Sequence, residues 1–95
     1  MKKTLNDYID LINAKKWDAH NKNWLYIELN AKDLVDEFEG PKVSNIKSAA
    51  QALLDTMLEG DRFIVTPKIK TKLAKDLTVR FYCDNLDPSR KKYSE

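Results

Sequence analysis

Cysteine occurs once in this chain of 95 residues, at Cys83. No internal disulfide is possible, and a reducing, cytoplasmic setting is expected. Histidine also occurs once, at His20. Without a second His or a nearby Cys, no zinc site is expected. The only two glycines, Gly40 and Gly60, are isolated, which removes phosphate-cradling loops, dinucleotide-binding turns and the serine elbow. No pair of titratable groups is arranged for acid–base or nucleophilic work, so neither an enzyme nor a cofactor is expected. No run of 18 apolar residues exists, which excludes a membrane-spanning helix. Asp7 and Asp10 interrupt the apolar stretch that a secretory leader needs.

What is present is charge, at 34% of residues, over an ordinary apolar content of 42%. The length suits one domain with a thin core, so an oligomeric contact would add much to its stability. The net charge of +2 conceals an asymmetry. Residues 1–40 carry six lysines against eight acids, and residues 41–95 carry eleven Lys/Arg against seven acids. Between 62 and 80 stand Arg62, Lys68, Lys70, Lys72, Lys75 and Arg80 against Asp76 alone. Such a concentration attracts polyanions whatever the net value.

The apolar periodicity divides the chain into six elements. Thr4 is a candidate N-cap, and Leu5, Tyr8, Ile9 and Ile12 share a helical face that is expected to run to Lys16 or Trp17. The polar stretch 18–23 reads as a loop. Residues 24–29 read as a strand with Leu25, Ile27 and Leu29 inward and Trp24 and Tyr26 outward. Asn30 caps a second helix with the stripe Leu34, Val35, Phe38, ended by Gly40-Pro41. A third helix is expected from Ser44 to the Gly60-Asp61 turn, burying Ile46, Ala49, Ala50, Leu53, Leu54 and Met57. Strands are expected at 62–66 and 77–83, the latter alternating Leu77, Val79, Phe81 and Cys83 inward, with a basic loop between them. Residues 84–95 read as a loose polar tail.

This order, with the stretches Ala31-Lys32-Asp33-Leu34-Val35, Val43-Ser44-Asn45-Ile46 and Gly60-Asp61-Arg62-Phe63-Ile64-Val65, resembles the winged helix-turn-helix family over residues 5–84. The resemblance implies an α+β domain over residues 1–84. It would hold three helices and a three-stranded antiparallel sheet with a basic wing, followed by a polar tail at 85–95. It also implies a double-stranded DNA partner. The helix after the turn would enter the major groove and the wing would touch backbone or minor groove. Carried onto this chain, Ser44, Asn45, Lys47, Ser48 and Gln51 are the expected base-reading side chains, on an outer face shared with Ala52 and Asp55. Lys68, Lys70 and Lys72 stand at period two, so an extended strand would project all three to one side at ~7 Å intervals, matched to a phosphate track. Lys75 and Arg80 complete the expected phosphate contacts.

The Lys/Asn-rich, small-domain character is similar to the winged-helix relaxosome accessory proteins of clostridial conjugative plasmids. That likeness implies binding at a plasmid transfer origin, beside other relaxosome proteins, and a homodimer is expected because two half-sites would offset the weak affinity of one small module. A plasmid or phage repressor is the rival within the DNA-binding class. A protein-interaction module is the rival outside it, using the acids Asp33, Asp36, Glu37 and Glu39 and the outer aromatics Trp24, Tyr26 and Tyr82. His20 is expected alone in a polar loop, and Cys83 in the core.

Overall fold

The computed structural model describes residues 3–93. The elements are α1 (Leu5–Asn21), β1 (Tyr26–Asn30), α2 (Ala31–Phe38), α3 (Ile46–Asp55), β2 (Arg62–Val65) and β3 (Thr78–Tyr82). The strands form one antiparallel sheet in the order β1-β3-β2. The α+β class, three helices and three-stranded antiparallel sheet expected from the sequence are all present, in an order compatible with a winged helix.

Thr4 opens α1 with a reciprocal box. Its hydroxyl accepts from Asp7 N–H, and the Asp7 carboxylate accepts from Thr4 N–H. The helix does not stop at Lys16 or Trp17 but continues through the stretch read as a loop, to Asn21. The buried stripe Tyr8, Ile12, Lys16, Ala19 explains this. Ala19 is the next core position on that face, and tertiary burial there outweighs the polar character of its neighbours. The half-buried His20 lies in the last turn of the helix, where its Nδ1 donates to the Cys83 carbonyl at 2.7 Å.

Asn30 fixes the start of α2 and the end of the basic loop together. Its Oδ1 accepts from Asp33 N–H, while its Nδ2 donates to the carbonyls of Lys75 and Leu77 and to Thr78 Oγ1. Gly40, at φ +110°, donates to the Val35 carbonyl and ends α2 in a conformation that other residues resist. The third helix is shorter than expected at both ends. Asn45 is its N-cap position, and Thr56 ends it by donating from Oγ1 back to the Ala52 carbonyl. Leu25 lies before β1 and is 56% exposed rather than inward. The inner face of β1 is therefore left to Ile27 and Leu29.

Between the helices and the sheet, Tyr8 and Ile12 meet Leu34 and Val35, Ala49, Ala50 and Leu53, and the inward Leu77, Val79, Phe81 and Cys83. Among the polar groups sealed into this core, two join distant segments. Tyr8, with no exposed surface, donates from its hydroxyl to Glu39, and Glu39 also accepts from Asn45 and from Lys3 N–H. Glu39 thus belongs to the core boundary and not to a solvated acidic face. Asp61 is buried at the start of β2. It accepts from the N–H groups of Leu58 and Tyr82 and pairs with Arg90 at 2.9 Å.

The C-terminal segment is not loose. Arg90 donates also to the carbonyls of Glu59, Tyr82 and Asn85. Glu59 N–H donates to the Lys91 carbonyl and Tyr93 N–H to the Met57 carbonyl. The Tyr93 ring meets Phe63 edge-on at 5.6 Å. Period and hydropathy gave no hint of this strap, because hydrogen bonds and one guanidinium hold it.

Two stability measurements follow. Removing the Arg90 guanidinium leaves a buried carboxylate without its ion-pair partner, so Arg90→Ala is expected to cost about 3 kcal/mol in urea unfolding. Burial, then the bond to Glu39, pushes the Tyr8 hydroxyl well above its ordinary pKa of 10.0. The folded pKa lies above the unfolded one, so this stability is complete below pH 10 and is lost as pH rises beyond it. Tyr8→Phe is therefore expected to flatten the fall in stability above pH 10 by up to about 1.4 kcal/mol per pH unit.

Candidate nucleic-acid interface

The expected site residues divide into those that face solvent and those that the fold has taken for itself. On the third helix, Lys47 is exposed and Ser48 and Gln51 are half-buried, while Ser44 is exposed but lies before the helix. Asn45 is not available. It is 6% exposed, and its Nδ2 donates to the Lys3 carbonyl and to Glu39. Ala52 is fully buried, contrary to its expected outward position, because the helix packs between α1 and α2 along a face wider than one apolar stripe. Gln51 donates its amide to Asp55 at 2.7 Å, one turn on. Reading adenine with that amide requires breaking this contact.

The wing departs further from expectation. Residues 67–77 between β2 and β3 are bends and turns and not strand, so the period-two projection of Lys68, Lys70 and Lys72 fails. Lys72 N–H donates to the Ile69 carbonyl, and Lys72 itself adopts φ +61°. That reversal turns its ammonium back over the Phe63 ring, 5.6 Å from the centroid. Lys68, Lys70 and Lys75 are exposed, as is Ile69 between the first two. A bulge between Phe63 and Val65 precedes the loop. A tight turn in place of two extended arms follows from the nearby anchors. Pro67 is buried at one end, and Asn30 and the first turn of α2 hold Lys75 and Leu77 at the other.

Arg80 is the second withdrawn cation. It lies on β3 opposite Glu28, and its Nε and Nη2 both donate to Glu28 Oε2, at 2.8 and 2.6 Å. Its guanidinium also stacks 4.3 Å from the Tyr26 ring centroid. Hydrogen bonding with Tyr82, then with Glu28, pushes its pKa up. Cross-strand registry decides this pairing, which no local sequence signal contains.

One buried cation was missed by sequence reasoning. Lys16 occupies a core position on α1, donates to the Thr56 carbonyl at 3.1 Å and lies 5.1 Å from the Phe81 centroid. Burial pushes its pKa down. It borders a cavity of about 420 Å³ against Trp17, Thr56, Leu86, Arg90 and Lys92, where Lys16 and Arg90 are engaged with the protein itself. Cys83 is buried, with its thiol pushed up in pKa by burial. Among the described residues no group of His, Cys, Asp and Glu is placed to hold a metal ion. No described helix is long and apolar enough to cross a membrane.

Of the expected site residues, Lys47, Lys68, Lys70 and Lys75 remain accessible, joined by Arg62 on β2, and Lys42, Lys91 and Lys92 are exposed elsewhere on the chain. Asn45→Ala is expected to lower stability by about 1–2 kcal/mol through loss of its bonds to Lys3 and Glu39. Any duplex affinity should be unchanged under conditions where the variant remains folded, as fluorescence anisotropy beside thermal unfolding would report.

No protein-family model matches this chain, and no curated protein or solved structure matches it. Function is read from the chain's own residues and their geometry.

Proposed function

We propose that this chain is a non-enzymatic double-stranded DNA-binding protein that contacts the phosphate backbone through its wing loop. The observation that carries this reading is the uneven compensation of its cations. Lys15, Lys22, Lys32, Arg80 and Arg90 each have a carboxylate partner, in Glu37, Asp18, Asp36, Glu28 and Asp61. Lys47, Arg62, Lys68, Lys70 and Lys75 have no such partner among the described residues; nor do Lys42, Lys91 and Lys92, but three of the unpaired lysines crowd into the one loop at 68–75. Solubility alone would be served equally by paired and unpaired lysines. A run of uncompensated ammonium groups on one short loop instead supplies a local field suited to a polyanion.

The same inventory limits base reading. Gln51 is engaged with Asp55 and Asn45 is inside, which leaves Lys47 and Ser48 as the candidate helix contacts. Backbone contact is thus expected to dominate, with sequence preference arising from groove shape more than from base edges. Action at a plasmid transfer origin is the finer form of this proposal. A relaxase gene beside the coding gene supports it, and a bound operator in its place favours a repressor.

Anisotropy titrations with a mixed-sequence duplex test the reading. Binding should weaken linearly in log–log form as salt rises, and Lys68→Ala/Lys70→Ala/Lys75→Ala should reduce the slope by about two to three. Absence of binding even near ~50 mM salt overturns the proposal, and an unchanged slope in the triple variant removes the wing from it.

A further inference from the structure

We propose that the open edge of β1 pairs with β1 of a second copy of this chain, antiparallel about a two-fold axis at Ile27. This interface is independent of the DNA reading.

β1 is an edge strand, hydrogen-bonded on one side to β3. The Leu25 carbonyl accepts from Cys83 N–H at 2.8 Å. Hydrogen-bonded pairs recur at every second residue of an antiparallel ladder. Leu25, Ile27 and Leu29 therefore turn their backbone polar groups toward β3, and Tyr26 and Glu28 turn theirs outward. Beside that outward edge, between α1 and β1, runs a groove of about 410 Å³ lined by Lys15, Asp18, Trp24, Ile27 and Leu29.

The edge continues into an exposed apolar ridge. Trp24 is 53% exposed and Tyr26 41%. Trp24 and Leu25 share a cavity with His20, and His20 meets Trp17 edge-on at 5.3 Å. Both tryptophans of the chain thus lie half-exposed around one end of the sheet. Water contact at so many large apolar groups marks an interaction surface.

Charge and symmetry select the occupant. A contact between two identical surfaces places each residue i opposite j and each j opposite i. Such a surface must be compatible with itself. The charges along the β1 edge are compensated within the chain, as Glu28–Arg80, Asp18–Lys22 and Lys15–Glu37, while Asp84 stands beside the ridge, away from the two-fold axis at Ile27. Symmetry also narrows the register. Centring on Glu28 would oppose two carboxylates, which is destabilising. Centring on Ile27 sets Tyr26 against Glu28 of the second copy, so the outward N–H and C=O groups of both are satisfied. It sets Ile27 against Ile27 and Leu25 against Leu29 in the closely spaced, non-hydrogen-bonded positions. The result is a continuous six-stranded sheet. Tyr26 pairs with Tyr82, and Asn30 with Thr78 at the end where the wing loop joins β3. The ridge lies at the far end, so both wings stay uncovered.

Tyr26→Pro is a selective test. The lost N–H points away from β3, and an edge strand tolerates proline there. In sedimentation of the intact chain on the order of 100 μM, the parent should run as a dimer. The variant should dissociate at least about tenfold more readily while keeping its far-ultraviolet dichroism. Amide exchange on the parent gives a second readout that needs no variant. Tyr26 and Glu28 amides should be protected at high concentration and lose protection on dilution, while Ile27 and Leu29 stay protected at both. A monomer at every concentration, including one that instead captures a different protein, overturns the proposal. So does a dimer unaffected by Tyr26→Pro, or equal concentration dependence at all four amides.

Discussion

The buried carboxylate of Asp61 is the point on which the rest of the structure closes. It receives Leu58 N–H from the turn after α3, Tyr82 N–H from the end of β3 and the guanidinium of Arg90 from the C-terminal segment. The turn after α3, the end of β3 and the C-terminal segment thereby meet at the start of β2. An ionised carboxylate with no exposed side-chain surface is tolerated only because its oxygens are supplied with donors. Arg90 in turn spreads its donors over the carbonyls of Glu59, Tyr82 and Asn85. In a chain this small the apolar core is thin, and such a satisfied polar junction specifies geometry that packing alone would leave loose.

A second junction, around Asn30, has a comparable effect at the other end of the sheet. One side chain caps α2 and holds the end of the wing loop. The wing's shape is therefore coupled to α2 through this amide together with the Ala31 and Lys32 N–H groups, which donate to the Leu77 and Lys75 carbonyls. With Pro67 buried at the opposite end of the loop, Lys68 and Lys70 are presented on a constrained turn. A constrained turn sacrifices the regular spacing of an extended arm. In exchange it holds its charges together with less conformational freedom to lose on binding.

The two proposed surfaces differ in how the protein treats charge. Along the β1 edge Glu28, Asp18 and Lys15 are paired within the chain, and the exposed character there is largely aromatic and aliphatic. Along the wing Lys68, Lys70 and Lys75 are left uncompensated among the described residues. A neutral apolar edge suits contact with a copy of itself, and an unpaired basic loop suits a polyanion. Their positions at opposite ends of β3 let both operate in one molecule.

Much of the fold was legible in the sequence because it is written in local terms. The Thr4 and Asn30 caps, the Gly40 stop, the stripes of Tyr8, Ile12, Leu34, Val35, Ala49 and Leu53, and the alternation of Val79 and Phe81 depend on neighbours within a turn or two. These residues determined the element order, and the excess of positive charge after β2 was equally plain from Lys68, Lys70, Lys72, Lys75 and Arg80. Which cations remain available was decided only by tertiary structure. Arg80 is taken by Glu28, 52 positions away, Asn45 by Lys3 and Glu39, and Lys16 by a carbonyl 40 positions on. A side chain's type states which bonds it can form, but whether a partner already holds it depends on registry and packing between distant segments. The wing shows this most directly. Its period-two lysines are plain in the sequence, and a left-handed Lys72 together with anchors from α2 and Pro67 turns that pattern into a bend.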